Sequence, residues 1–62
     1  SSEEAVLELK TAFDKELLKI NFKLLTKEDV ENIALAKELQ KEGLYRRAFQ
    51  VLKNIQLSQN KE

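Results

Sequence analysis

The sequence predicts an all-α fold, a bundle of three helices in which the last two form a tight αα-hairpin. Strong helix formers, chiefly Leu, Lys, Glu, Ala and Gln, dominate the 62 residues, and proline is absent. Apolar residues recur at spacings of three and four. A helix-capping signal at Thr26 and the single glycine, Gly43, divide the chain into three segments. We therefore expect one small domain over residues 1–62, with helices at about 2–24, 27–42 and 44–57.

The first helix carries apolar residues on two opposite sides. Its amino terminus is expected at Ser1 or Ser2, because Ser1 to Glu4 has the spacing of a capping box. One apolar stripe faces the core and consists of Val6, Leu9, Phe13, Leu17, Ile20 and Leu24. At 100° per residue, Leu18, Phe22 and Leu25 lie on the opposite side.

Two interpretations of this second stripe are open. If the helix ends near Ile20, Phe22 and Leu25 belong to a linker that folds over the core. If the helix continues to Leu24, the stripe of Leu18, Phe22 and Leu25 is exposed and forms an interface with a second copy or a partner helix.

The start of the second helix is marked by several local signals. Thr26 is a natural N-cap, and Glu28 and Asp29 follow it in the first turn, where the helix dipole favours acids. Leu25 and Val30 have the spacing of a hydrophobic staple around this cap. A second helix beginning at about Lys27 follows from these signals.

Gly43 predicts the end of the second helix. Glycine readily adopts the left-handed conformation of a Schellman ending, in which Leu44 would contact Leu39. So short a connection places the third helix, at about 44–57, antiparallel to the second. Residues 58–62 are expected to fray.

Composition argues against an enzyme and against a metal or cofactor site. The chain contains no histidine and no cysteine, so the commonest general base and the commonest metal ligands are missing. Glu28, Asp29 and Glu31 match no calcium loop, and we expect them to stabilise a helix amino terminus instead. We expect no catalytic residue and no cofactor. The lack of cysteine also fits a cytoplasmic or other reducing compartment.

Charge and hydropathy bear on the partners. Eleven basic and eleven acidic side chains give a net charge of zero, which disfavours a dedicated nucleic-acid binder. Nucleic-acid contact, the less favoured alternative, would make this a small transcription regulator and would use Lys15, Lys19, Lys23, Arg46, Arg47 and Lys53. No apolar run is long enough to span a membrane.

The carboxyl-terminal half of the chain resembles known helical families. Residues 32–55 resemble one tetratricopeptide-type repeat, through Leu35, Ala36, Gly43, Tyr45, Ala48, Leu52 and Ile55. Residues 36–48 resemble the core of PerC-type bacterial transcription regulators. The helix order is similar to that of the helical C-terminal domain of Sec31-type coat proteins. The tetratricopeptide likeness implies a helical hairpin and protein binding in general.

The function expected from the sequence is non-catalytic. A core from a chain of this length supplies only about 3–5 kcal/mol, so oligomerisation or a partner is a natural source of further stability. We expect a protein-protein interaction or oligomerisation module whose interface contains Leu18, Phe22 and Leu25.

Overall fold

The computed structural model describes residues 2–61, and over this range it confirms the all-α three-helix bundle. The helices are α1 (Ser2–Lys19), α2 (Lys27–Lys41) and α3 (Tyr45–Gln59). A short 3₁₀ turn, Phe22–Leu24, lies between α1 and α2. Within the described range there is no β-strand.

The first helix ends at Lys19, earlier than the predicted Leu24, so the interpretation in which a linker begins near Ile20 is correct for the helix end. It is also correct for Leu25, which packs against the core, but it is wrong for Phe22, which is exposed. Asn21 has an extended backbone (φ −84°, ψ 103°), and its side chain accepts a hydrogen bond from the Lys23 amide. Asparagine favours such local bonds over a helix interior, which explains the break. The cap predicted at Ser1 lies outside the described residues.

The amino terminus of α2 confirms the prediction at Thr26. The Thr26 hydroxyl accepts a hydrogen bond from the Asp29 amide, and the Asp29 carboxylate accepts one from the Thr26 amide, each at 3.1 Å. This reciprocal capping box satisfies two backbone donors that the first turn of a helix cannot pair internally.

The turn between α2 and α3 is the predicted Schellman ending. Gly43 has a φ of +84°, in the left-handed region. The Leu44 amide donates to the Leu39 carbonyl (2.9 Å), and the Gly43 amide donates to the Gln40 carbonyl (3.0 Å). The connection is therefore very short, and α2 and α3 form the expected antiparallel hairpin.

The third helix supplies the centre of the core, because it packs against both α1 and α2. Leu52 is its largest fully buried side chain, and Ala48 on α3 and Ala36 on α2 are also fully buried. Such small residues allow two helix backbones to approach closely. The buried apolar core consists of Phe13, Ile20, Ile33, Ala36, Ala48, Leu52 and Ile55.

Three contacts show that α1 and the linker after it run parallel to α3. The Lys10 ammonium lies 5.8 Å from the centre of the Tyr45 ring, near the amino end of α3. Glu16 contacts Lys53 in the middle of α3, and Asn21 is hydrogen-bonded to Gln59 at its carboxyl end.

No helix in the described part of the chain combines the length and the apolar character needed to cross a bilayer.

Candidate interaction surface

The three residues predicted to form an interface have different environments. Leu18 is 85% exposed and Phe22 is 56% exposed. Leu25, in contrast, is partly buried and packs against the core. The premise that the three share one helical stripe is wrong, because α1 ends at Lys19 and only Leu18 belongs to it.

The expectation that Leu24 faces the core is also wrong, because it too assumes that α1 continues to Leu24. Counted as helical, it falls on the core stripe of α1, but in the 3₁₀ turn it is 58% exposed. The exposed large apolar residues at the end of α1 and in the linker after it are therefore Leu18, Phe22 and Leu24. Sequence periodicity could not identify Leu24 as exposed, because it assumes one continuous helix.

The linker that carries Phe22 and Leu24 is tied to the end of α3. The Asn21 amide donates to Gln59 Oε1 (3.0 Å), and Gln59 Nε2 donates to the Asn21 carbonyl (2.9 Å). This pair of bonds joins residues that are 38 positions apart in the chain. It explains why α3 continues to Gln59, beyond the predicted end at Leu57. The expected fraying of Ser58 and Gln59 is thus wrong, and Glu62 lies outside the described residues.

A buried carboxylate lies at the α1–α3 interface, and the sequence did not predict it. Glu16 is only 2% exposed, and its oxygens lie 3.6 Å from Lys19 Nζ and 3.8 Å from Lys53 Nζ. Glu16 Oε1 has no hydrogen-bond partner among the described residues. The available signal was its position, three residues after Phe13 and four before Ile20, on the apolar side of the helix.

The basic residues of the nucleic-acid alternative do not form one cluster. Lys19 and Lys53 both contact the Glu16 carboxylate. Lys23 lies in the linker, near the carboxyl end of α3, whereas Arg46 and Arg47 lie in the first turn of α3. Lys15, on α1, is exposed, as are Lys23, Arg46 and Arg47.

Two other polar side chains, those of Asp29 and Tyr45, have structural roles. Asp29 is part of the capping box, so its carboxylate is occupied at the amino terminus of α2. Across the described residues, no group of three or more potential ligands is arranged to hold a metal ion. The Lys10 ammonium lies over the Tyr45 ring, and a cation–π contact of this kind contributes about 0.5–1 kcal/mol at an exposed site.

Comparisons of the chain with protein-family models, curated proteins and solved structures found no significant match.

Proposed function

We propose that this chain is a non-catalytic self-association module, which binds a second copy of itself through exposed apolar side chains. The observation that carries the proposal is the exposure of large apolar residues. Over residues 2–61 these exposed side chains are Leu7, Leu18, Phe22, Leu24, Val30, Leu35, Leu44 and Leu57. Single exposed leucines are ordinary, but Leu18 at 85% has almost no contact with its own chain.

Two further properties favour a second copy as the binding partner. The net charge of zero removes the long-range repulsion that keeps many small proteins apart. The buried core contains only five large apolar side chains with two alanines, which leaves a thin margin of stability that association increases by mass action.

The non-catalytic part of the proposal is supported by the chemistry of the side chains. Histidine and cysteine are absent from the chain. The most buried carboxylate, Glu16, contacts two lysines and is shielded from any substrate. Such a group lacks the access that a catalytic acid or base requires.

The proposal is tested by sedimentation velocity and light scattering from micromolar to millimolar protein. We expect a dimer that dissociates on dilution. Leu18→Lys should weaken it by about tenfold or more, since it loses apolar burial worth more than 1 kcal/mol. The matched control is Leu35→Lys, which places the same charge at a half-exposed leucine of α2.

Circular dichroism on the same samples separates loss of association from loss of folding. A chain that stays monomeric at every concentration, while its helices remain folded, would contradict the proposed function. Equal weakening by Leu18→Lys and Leu35→Lys would contradict the assignment of the surface.

A further inference from the structure

We propose that two copies of this chain pair through the outward faces of their α1 helices, antiparallel about a two-fold axis. This inference rests on the proposed self-association and specifies its geometry. It makes Leu7 and Leu18 the apolar ends of one interface, with Thr11 and Asp14 at its centre.

The outward face of α1 has the spacing of a coiled-coil seam. Leu7, Thr11, Asp14 and Leu18 follow one another at intervals of four, three and four, which places them in one row along a helix. All four are exposed, and Leu7 is 65% exposed. The row lies opposite Glu16 and the core side of α1, so α3 does not cover it.

This row is complementary to itself when a second copy runs in the opposite direction. A two-fold axis midway between Thr11 and Asp14 places Leu7 opposite Leu18 of the second copy, and Leu18 opposite Leu7. The same axis places the Thr11 hydroxyl, a donor, opposite the Asp14 carboxylate, an acceptor. A polar pair at the centre of such a seam fixes register and orientation at some cost in affinity.

The charges beside the row match the same arrangement. Glu8 and Lys15 flank it on one side, and the antiparallel pairing brings Glu8 of each copy next to Lys15 of the other. In the described chain neither Glu8 nor Lys15 has an ion-pair partner. A parallel pairing would instead oppose Asp14 to its own copy, and like charges in that position repel.

The surface also offers a place for the opposing leucine. A shallow groove of about 350 Å³ runs beside the row and is lined by Leu7, Glu8, Thr11, Ala12 and Lys15. Leu18 of the second copy would enter this groove next to Leu7, in the way that a knob fills a hole between helices.

Charge reversal tests the geometry. Glu8→Lys and Lys15→Glu should each weaken the dimer by about tenfold, because both symmetry-related pairs become repulsive. The double variant Glu8→Lys/Lys15→Glu restores both attractions and should return the dissociation constant to within about threefold of the original. Glu31→Lys and Lys37→Glu are the matched controls, since both residues are exposed on α2. Each control substitution changes the net charge by the same amount as the corresponding substitution on α1.

A cross-linking experiment gives an independent readout, because the chain has no cysteine of its own. A mixture of Glu8→Cys and Lys15→Cys chains, treated with a short bismaleimide, should give mainly the mixed 8–15 product. Mainly same-site products would overturn the antiparallel pairing. A dissociation constant that changes in neither charge-reversal variant would overturn the pairing too, while the proposed function stands. A chain that never dimerises would overturn both.

Discussion

The side-chain amide of Gln59 closes a reciprocal pair of hydrogen bonds with the backbone of Asn21. Both backbone polar groups of Asn21 are used, with the amide donating at 3.0 Å and the carbonyl accepting at 2.9 Å. The pair joins the end of α3 to the break that ends α1. It therefore holds in place the segment that carries Phe22 and Leu24.

We expect Gln59→Ala to lower the free energy of unfolding by about 1 kcal/mol, since two exposed hydrogen bonds are lost. The linker should also become more mobile, which hydrogen exchange at Asn21 would detect. Gln50→Ala is the matched control, because Gln50 on α3 bonds only to Asn54 within its own helix. An equal loss in both variants would show that the Asn21 contact contributes nothing specific.

We expect the two partners of the Glu16–Lys53 ion pair to differ in how their replacement by leucine changes the stability of the fold. Glu16→Leu removes the buried charge and leaves Lys53, whose side chain is 37% exposed, free to reach water. Replacement of a buried charge by an apolar residue is often neutral or stabilising, so Glu16→Leu should keep or raise the midpoint of thermal unfolding.

Lys53→Leu should instead be destabilising by about 1–3 kcal/mol, since a buried carboxylate loses one of its cations. In the Glu16→Leu background the same Lys53→Leu change should have almost no effect. Denaturant titration of all four chains measures this cycle. If the loss persists without Glu16, the role assigned to the pair is wrong.

The features that the sequence predicted correctly depend on residues close together in the chain. The capping box needs only Thr26 and Asp29, and the Schellman ending needs only the residues from Leu39 to Leu44. Such motifs have a local cause, so local reasoning identifies them.

The features that the sequence missed depend on distant partners. The linker after α1 is tied to Gln59 through Asn21, and the burial of Glu16 depends on α3 and its Lys53. Helical periodicity counts positions along one element and contains no information on what packs against it. For the same reason, it placed Leu24 in the core and Leu25 at the surface, and the structure reverses both.

Gly43 allows the backbone requirement of the hairpin turn to be measured without a packing effect. A Cβ added at Gly43 would meet nothing within 4 Å, while φ is +84°. Gly43→Ala should therefore cost about 1–2 kcal/mol, all of it from the left-handed conformation. Asparagine tolerates this conformation better, so Gly43→Asn should cost less.

The sign reverses with D-alanine, whose preferred φ is positive. A chemically synthesised chain with D-alanine at position 43 should be more stable than the parent by about 0.4–1 kcal/mol, since the unfolded chain loses freedom. Thermal and denaturant unfolding of the L and D chains gives the comparison. Equal destabilisation by both would mean that space, and not handedness, limits the turn.

The contrast between Leu52 and Leu57 tests how much of the fold depends on the small core. Both leucines lie on α3, but Leu52 is fully buried whereas Leu57 is 51% exposed. Leu52→Ala should cost about 2–5 kcal/mol, which is comparable to the whole stability of about 3–5 kcal/mol expected for this size. The variant should therefore be largely unfolded at 25 °C, as far-ultraviolet circular dichroism would show.

Leu57→Ala makes the same chemical change on the same helix and should alter stability by no more than about 0.5 kcal/mol. The comparison should be made at several protein concentrations, because association of folded chains adds stability by mass action. A folded Leu52→Ala chain at low concentration would mean that contacts outside the buried core contribute more than the described packing accounts for. A large loss in Leu57→Ala that grows with concentration would place Leu57 in the dimer interface, contrary to the pairing through α1.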